Sequence, residues 1–300
     1  MNYWEQIVNT RSVKDYVKWI LCDKYIAKQF AEQLGFKIPK TYQLVKTASD
    51  INFKELHKIT TQYVIKPTDY CDSYGVFLIK DNINLINNKT VSDDYIVSYL
   101  EDIRQKTKHQ YYMHELMYNF KIPFKGYIVE ELLLDKDTLP PCDYKCYVFG
   151  GKLFLIAKTF NRKQTINENT NDMEQSFNSV WMTRSWKPIP FKMIKKNYKY
   201  TTLQKPPEFD KMVRLVENAS RILQRHCRID VYLLNGEVYL GEFTFFCGAF
   251  LHTKICNVML GMKWKLNPDT IDIQNENNKK LIKILNTLTP SNYTQLYTII

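Results

Sequence analysis

The sequence lacks any apolar run long enough to cross a membrane. Its longest apolar stretches, VFLI (76–79) and YIVEELLL (127–134), fall far short of the roughly 20 residues that span a bilayer. The opening residues MNYWEQIVNTRS also lack the apolar core of a secretory signal. We therefore expect a cytoplasmic protein with no insertion into a membrane.

Cysteines at paired spacing are lacking too. The seven cysteines are scattered and odd in number, which is typical of reduced thiols rather than of a disulfide framework. Cys142 and Cys146 have no second Cys/His pair at zinc-site spacing, and adjacent residues such as His226 and Cys227 rarely converge on one ion. The pattern argues against a zinc site.

Glycine is scarce, with 9 among 300 residues, and forms neither the Walker pattern nor the three-glycine dinucleotide fingerprint. We find no internal repeat. The hydrophobic content of 45% is nonetheless enough for a sizeable core, in one large domain or two lobes.

Acidic residues are outnumbered, because 42 Lys and Arg against 31 Asp and Glu give a net charge of +11. This excess favours an anionic partner, such as nucleic acid, an acidic polymer or a nucleoside triphosphate. The segment KMIKKNYKYTTLQK (192–205) interleaves lysines with tyrosines, as single-stranded nucleic-acid grooves do. Such segments are more often solvated loops, so nucleic acid is the less favoured partner.

Helix and strand patterns mix along the chain. Apolar spacing of three and four predicts short helices between residues 13 and 35 and longer ones over 93–106 and 208–227, with a mainly helical tail from about residue 270.

Strands are predicted at QYVIKP (62–67), GVFLIKD (75–81) and KGYIVEELLL (125–134), and a hairpin at DYKCYVFGGKLFLIAKTF (143–160). Residues 161–178 lose all apolar pattern, so we expect a mobile loop there, a candidate lid. Because antiparallel hairpins dominate without regular strand–helix alternation, the pattern indicates an α+β fold.

A lysine precedes a polar loop in YVIKPTDYCDSYGVFLI (63–79). Backbone N–H groups of such a loop, which here contains Ser73 and Gly75, and the Ser73 hydroxyl would take phosphate oxygens, and Lys66 would supply a point charge. An ordinary hairpin loop is the alternative. Further on, Glu130 and Glu131 are neighbours on one strand and point to opposite faces, so that one would read an adenine edge; an edge strand with two exposed acids is the alternative.

Two acids lie within the apolar hairpin RIDVYLLNGEVYLGEF (228–243). With a two-residue turn at Asn235-Gly236, a bulge at Gly241 would bring Glu242 to the face of Asp230. Two adjacent carboxylates repel unless a divalent cation lies between them, so the arrangement predicts a magnesium site, with Thr244 as a third oxygen ligand. Without the bulge, Glu242 is an edge residue.

Six segments occur in an order that resembles the ATP-grasp superfamily, in particular its TupA-like branch of teichuronopeptide and surface-polymer synthesis. The resemblance extends from about residue 20 to residue 250 and rests on these segments: DKYIAKQFAEQLGFKIPKTY (23–42), YVIKPTDYCDSYGVFLI (63–79), YIVEELL (127–133), DYKCYVFGGK (143–152), PPEFDKMVRLVENASRILQRHCRIDVY (206–232) and YLGEFTFFCGAF (239–250).

The resemblance implies two α+β lobes that hold ATP between them: an N-terminal helical segment (1–50), a small lobe (51–128) and a large lobe with the metal site (129–300). It also implies roles for particular residues. For the nucleotide, Lys24 and Lys66 match phosphate-contacting lysines, Glu130, Glu131 and Leu132 match the strand beside the adenine, and Asp143 lies near the position of the ribose. Lys145 is particular to this branch. Arg228 matches the arginine near the transferred phosphoryl group, and Asp230, Glu242 and Thr244 match the magnesium ligands.

Two departures from the family pattern stand out. Thr244 replaces the usual asparagine, which weakens the case for a second metal ion, and the phosphate loop is poorer in glycine than in most relatives.

The implied activity joins a carboxylate to an amine. Mg²⁺, Lys66 and Arg228 would stabilise the γ-phosphoryl group as it moves from ATP to a substrate carboxylate, and an amine would then displace phosphate. No general base is evident, because His57, His109, His114 and His252 lie outside the six segments. The expected substrates are small carboxylates and amines that lead to a surface polysaccharide or peptide polymer. The alternatives are a kinase that phosphorylates a hydroxyl group and a basic protein that binds nucleic acid or another polyanion.

Overall fold

A computed structural model of the chain describes residues 2–11, 15–70, 73–106, 125–135, 141–166, 173–248 and 251–269, together with residues 279, 281, 283, 285 and 287. Within these ranges, no helix combines the length and the apolar character that crossing a membrane requires. The cysteines in the same ranges are free thiols, as expected.

Two antiparallel sheets form the framework. The first contains β1 (Thr41–Val45), β2 (Gln62–Pro67), β3 (Phe77–Lys80), β4 (Ile83–Asn84), β5 (Lys89–Thr90) and β6 (Tyr127–Glu131), in the order β1-β6-β2-β3-β4-β5. The second contains β7 (Asp143–Phe149), β8 (Lys152–Ile166), β9 (Met173–Thr183), β10 (Cys227–Leu234) and β11 (Glu237–Thr244), in the order β11-β10-β7-β8-β9.

The helices surround these sheets. They are α1 (Tyr3–Arg11), α2 (Tyr16–Ile20), α3 (Lys24–Gln33), α4 (Phe53–Ile59), α5 (Asp93–Lys106), α6 (Phe209–Leu223) and α7 (Lys254–Leu266). The five described residues between 279 and 287 are also helical; the rest of the predicted helical tail lies outside the described residues. Two antiparallel sheets with helices packed on them confirm the α+β class.

Each sheet has its own apolar core. One face of the second sheet packs on α3 and α6 through Phe30, Val216 and Ile229, and the other face meets α1 and α7. The first sheet packs on α4 and α5 through Leu56 and Leu100. Each fully buried side chain of this size contributes about 1.5–3 kcal/mol, so these apolar cores stabilise both sheets.

Local signals explain where α3 and α5 begin. The Asp23 carboxylate accepts hydrogen bonds from the backbone N–H groups of Tyr25 and Ile26, both at 2.9 Å. The Ser92 hydroxyl accepts one from the N–H of Tyr95 at 3.2 Å. Such caps satisfy the free N–H groups of a first turn. The cap of α3 therefore fixes the start of the helix and with it the position of the Lys24 side chain.

The expectation of an irregular loop over residues 161–178 is wrong for the part that the structure describes. Strands β8 and β9 continue through it to Ile166 and Met173, with a register irregularity between Phe160 and Lys163. The two strands first pair within the core, and their backbone hydrogen bonds then continue the ladder beyond it. Pairing of this kind does not require alternating apolar side chains, so the sequence of the outer part shows no strand pattern. Residues 167–172 lie outside the described residues, and with them the centre of the candidate lid.

Candidate functional site

The two sheets border one cavity of about 850 Å³. Strands β2 and β6 of the first sheet line one wall, and strands of the second sheet line the other. Every residue singled out in the sequence lines this cavity except Gly75. Residues from segments far apart in the chain therefore converge on one site.

Gly75 has a local role instead. It is buried with φ +68°, and a Cβ atom at this position would lie 2.5 Å from Ile103 Cδ1 and 2.9 Å from Pro67 Cγ. The glycine allows the β2–β3 loop to lie against its own sheet. Ser73, with φ +62°, lines the cavity from this loop together with Tyr70 and Tyr74.

The predicted bulge is present between β10 and β11. Val231 pairs with Leu240 and Asp230 pairs with Glu242, so Gly241 has no partner in the ladder. A Cβ atom at residue 241 would lie only 3.0 Å from the carbonyl oxygen of Asp230. Glycine therefore permits the bulge that brings the two carboxylates to one face.

Arg228 clamps these two acids. Its Nε and Nη2 atoms each donate to one Asp230 carboxylate oxygen at 2.7 Å, and Nη2 also lies 3.0 Å from Glu242 Oε1. Burial opposes the charge of the guanidinium, but Asp230 outweighs it and holds the pKa of Arg228 well above its usual range. The Thr244 hydroxyl donates to Glu242 Oε1 at 2.7 Å.

Lys145 is the second cation on this face. Its Nζ lies 2.6 Å from Asp143 Oδ2 and 2.6 Å from Asp230 Oδ2. Local desolvation opposes ionisation of Glu242, but Arg228 and Lys145 outweigh it and lower the pKa of that carboxyl. Three carboxylates and two cations thus share one end of the cavity, which we call the acidic end: Asp143, Asp230 and Glu242 with Lys145 and Arg228.

Lysines surround Glu130 on the opposite wall. The buried Glu130 carboxylate forms ion pairs with Lys66 of β2 and Lys28 of α3. Burial, followed by the neighbouring Lys24, lowers the pKa of Lys66 to about 8, and burial lowers the pKa of Lys28 well below its usual range. Both ammonium groups would gain from a second anion, because desolvation is what disfavours their charge.

Lys24 completes this group, which we call the basic end: Lys24, Lys28 and Lys66 around Glu130. Lys24 opens α3 directly after the Asp23 cap and donates from Nζ to the backbone carbonyl of Tyr70. The lysine thus reaches the β2–β3 loop that carries Ser73. Because the basic end contains more lysines than acids, it attracts anions.

Glu131 and Leu132 lie at the end of β6. Glu131 accepts a hydrogen bond from the backbone N–H of Lys40 at 3.1 Å and donates its own N–H to the Lys40 carbonyl at 2.8 Å. Leu132 is buried in the cavity wall. Glu130 and Glu131 therefore point to different surroundings, as their adjacent positions on a strand predict.

Lys28 and His252 both line this cavity and were not among the candidates from the sequence. Lys28 follows Lys24 by four positions on a helix, so a common helix face was the available signal. His252, which no motif contains, also lines the cavity and has Nε2 3.1 Å from the Tyr147 hydroxyl. Burial lowers the pKa of His252 to about 3, so the ring is neutral at physiological pH.

The acidic end suits a metal ion that arrives with its own ligands. In the described parts of the chain, no cluster of three or more acidic, His or Cys side chains is placed to hold an ion. Asp230 and Glu242 offer two carboxylates, and Thr244 adds a hydroxyl oxygen. Mg²⁺ is commonly bound by one or two carboxylates together with substrate phosphates and water, so this donor set fits magnesium.

Comparison with known proteins agrees with this geometry. The model of the TupA-like ATP-grasp family matches residues 6–263 of the chain. No curated protein matches.

Several solved structures are similar to the chain. They include D-alanine–D-alanine ligase from Bacillus anthracis (15% identity, TM-score 0.48, covering 90% of this chain and 67% of that one) and VanG D-Ala:D-Ser ligase from Enterococcus faecalis (15%, 0.46, 89% and 62%). A RimK-domain ATP-grasp protein from Sphaerobacter thermophilus is 12% identical, with a TM-score of 0.43 and coverage of 83% and 68%. The match of the family model extends over most of the chain, and the chain therefore belongs to the TupA-like ATP-grasp family.

Proposed function

We propose that the chain is an ATP- and Mg²⁺-dependent carboxylate–amine ligase. The observation that carries the proposal is one cavity with the acidic end on the second sheet and the basic end formed by β2, β6 and α3. A magnesium–triphosphate complex has the complementary distribution of charge, with a cation bound to a polyanion. Membership of the ATP-grasp superfamily confirms the prediction of an ATP-dependent enzyme.

The basic end would bind the phosphates. Lys24, Lys28 and Lys66 present ammonium groups that Glu130 holds together, and the Ser73 hydroxyl lies on the loop beside them. A bound polyphosphate would favour the charged form of each lysine and relieve the cost of burying it.

The adenosine would lie against β6 and β7. Glu131 and Leu132 line the cavity at the end of β6, and Asp143 begins β7 on the other wall. In this arrangement the base meets the strand end and the ribose meets Asp143. The nucleotide would then be held between a small lobe built on the first sheet and a large lobe built on the second sheet.

The acidic end would hold the metal ion and act on the γ-phosphoryl group. Asp230, Glu242 and Thr244 would bind Mg²⁺, which supplies charge neutralisation and orients the phosphates. Arg228 and Lys145 lie on the same face, so their cationic groups are placed to stabilise negative charge on the transferred group.

The proposed reaction has two steps. A substrate carboxylate oxygen attacks the γ-phosphorus of ATP, the bond to the β–γ bridging oxygen breaks, and ADP leaves. The nitrogen of an amine then attacks the acyl carbon, phosphate leaves, and the amine proton passes to phosphate or water. His252, with a pKa of about 3, is a weak proton acceptor and serves as a hydrogen-bonding group in the wall.

The proposed substrates are a small carboxylate and a small amine in the synthesis or modification of a surface polysaccharide or peptide polymer. This part rests on the resemblance to the TupA-like branch. We also propose that the enzyme works in the cytoplasm, where ATP and magnesium are supplied.

Thermal unfolding with and without Mg·ATP tests nucleotide binding. We expect Mg·ATP to raise the melting temperature of the wild type, and Asp230→Asn or Glu242→Gln to abolish the gain. Asp210→Asn is the matched control, because Asp210 is exposed and pairs only with the exposed Lys205 within the described contacts. No gain in the wild type would favour a binding protein for polyanions instead.

ADP release then distinguishes the reactions. We expect turnover with a panel of amino acids and sugar acids to require an added amine. Turnover with a hydroxyl substrate and no amine would instead assign a kinase.

A further inference from the structure

Helix α7 carries an apolar stripe on its outer side. Ile255, Val258, Met262 and Leu266 recur at spacings of three and four, and the exposed fraction reaches 60% at Met262 and 76% at Leu266. The opposite side of α7 is buried against the second sheet and α1. At 1.5 Å per residue the stripe is about 16 Å long.

A second segment lies beside the start of this helix. The backbone N–H of Lys195 donates to the Leu251 carbonyl at 2.9 Å, and the Thr253 hydroxyl donates to the Lys192 carbonyl at 2.7 Å. Segment 187–200 thus adds the exposed Phe191 and Tyr200 to the same region. We call the stripe together with this segment the α7 surface.

The α7 surface is strongly basic. Residues 187–200 and 251–268 contain eight lysines and no Asp or Glu. The neighbouring α1 adds the exposed Glu5, which is hydrogen-bonded to the Asn2 side chain and backbone. On the helix, Lys254 and Lys265 flank the stripe on one side and Lys263 flanks it on the other, given the 100° turn per residue. Cations therefore border a contiguous apolar strip.

Three features favour a lipid surface over other occupants. Single exposed apolar residues are normal, but a contiguous strip bordered by charges marks an interaction site. The stripe on α7 contains only Ile, Val, Met and Leu, and the exposed aromatic rings of Phe191 and Tyr200 lie beside it, whereas a groove for single-stranded nucleic acid presents aromatic rings along its length to the bases. Interfaces between protein chains are depleted of lysine, while interfacial helices are rich in it.

We propose that the α7 surface docks on membranes that contain anionic phospholipid, with α7 parallel to the bilayer plane. Ile255, Val258, Met262 and Leu266 enter the boundary between head groups and acyl chains, and the lysines contact lipid phosphates. Lys196 belongs to both the α7 surface and the cavity lining, and Leu251, whose carbonyl accepts from Lys195 of this surface, also lines the cavity. Docking therefore places one edge of the cavity at the lipid surface, which goes beyond the proposed ligase reaction.

Co-sedimentation of the full chain with phospholipid vesicles tests the proposal. We expect binding to vesicles of phosphatidylcholine with phosphatidylglycerol, little binding to phosphatidylcholine alone, and a loss of binding at high salt. Met262→Ser with Leu266→Ser should weaken the vesicle affinity about tenfold or more, because each removes a leucine-sized apolar side chain. Lys192→Glu with Lys199→Glu should weaken it by a similar factor.

A matched double variant on α4 controls for general effects of changing surface residues. Ile59 is exposed to 46%, and Ile59→Ser with Lys54→Glu changes one exposed aliphatic and one lysine far from α7. This variant should bind vesicles like the wild type, and all variants should keep the melting gain with Mg·ATP. Retention of that gain shows that they are folded.

Three results would overturn the proposal. The first is absence of binding to anionic vesicles. The second is equal affinity of the wild type and the α7 variants for these vesicles. The third is a dimer in light scattering that the α7 variants dissolve while none of the proteins binds lipid, which would assign the surface to a second copy of the chain.

Discussion

Asp230 faces Glu242 across the β10–β11 ladder, although the hairpin turn at Asn235 and Gly236 would place Asp230 opposite residue 241. The difference is one extra residue, Gly241, which the ladder leaves unpaired. The acidic pair therefore depends on a backbone irregularity rather than on the alternation of the strand.

Gly241→Ala should weaken both folding and nucleotide binding. The new Cβ would meet the Asp230 carbonyl oxygen at 3.0 Å, and crowding of this kind costs about 1–3 kcal/mol of unfolding free energy. We expect urea unfolding to show this loss and the melting gain with Mg·ATP to shrink. Gly236→Ala is the control: its φ of +77° makes the change cost about 1–2 kcal/mol, but no atom lies within 4 Å of the added Cβ. If both variants lose the gain equally, the bulge has no special part in binding.

Glu130→Gln should destabilise the protein more than any neighbouring change of charge. The substitution leaves Lys28 and Lys66 without the carboxylate that pairs with both of them. Breaking a buried ion pair costs about 3–5 kcal/mol, which urea unfolding at neutral pH would measure. Glu131→Gln, at a less buried position, should cost less than about 1 kcal/mol. Similar losses in the two variants would contradict the central place of Glu130.

The affinity for ATP should fall as the pH rises through the pKa of Lys66, which is about 8. Below this pH the lysine is charged and pairs with phosphate; above it the charged fraction decreases by up to about tenfold per pH unit. Calorimetric titrations with Mg·ATP at several pH values would show the decline. Lys66→Arg should remove it, because arginine stays charged, whereas Lys58→Arg on α4 should leave it in place. A flat profile in the wild type would argue against phosphate binding by Lys66.

Acid should unfold the protein through His226. The ring accepts from the Tyr3 hydroxyl at 2.6 Å and donates to the Val148 carbonyl at 3.0 Å, and burial lowers its pKa to about 4. Because this pKa is depressed, the stability from His226 is complete above its ordinary pKa of about 6.5 and is lost as the pH falls toward 4.

The free energy of unfolding would fall by up to about 1.4 kcal/mol for each unit by which the pH decreases. Protonation of His252, whose pKa is also lowered by burial, adds to this loss. Urea unfolding between neutral and mildly acid pH measures this slope. His226→Gln should reduce this slope, although the variant is less stable overall. His57→Gln, which changes an exposed histidine, should leave the slope unchanged. An unchanged slope in His226→Gln would refute this account.

Local sequence signals were sufficient for much of the fold. Gly150 and Gly151 both have positive φ at the β7–β8 turn, and the apolar face of α6 is buried as its spacing predicts. The bulge at Gly241 was also predictable, because a hairpin register and one glycine define it. The outer part of the β8–β9 ladder was not predictable, because it is held by backbone hydrogen bonds and the sequence there has no alternation of apolar and polar residues.

The partners of the charged residues were less accessible. Arg228 was expected beside a phosphoryl group, and the structure places it on Asp230 and Glu242. Lys28 pairs with Glu130 across about one hundred residues of chain. Such contacts depend on how α3 and two sheets come together, which no single segment encodes.

Lys145 and Arg228 act as built-in counterions for the carboxylates of the acidic end, and Glu130 does the same for the lysines across the cavity. A nucleotide that entered without a metal ion would draw the lysine and arginine side chains away from the carboxylates and leave these unpaired. A divalent ion that entered without a nucleotide would displace Lys145 and Arg228 from the carboxylates without offering them another anion. In the proposed function, a magnesium–nucleotide complex would avoid both problems, because the carboxylates of Asp230 and Glu242 would hold the metal while the ammonium and guanidinium groups of Lys145 and Arg228 would turn to the phosphates. The site would then act as an ion exchanger that binds the magnesium–nucleotide complex more readily than either the nucleotide or the metal ion by itself.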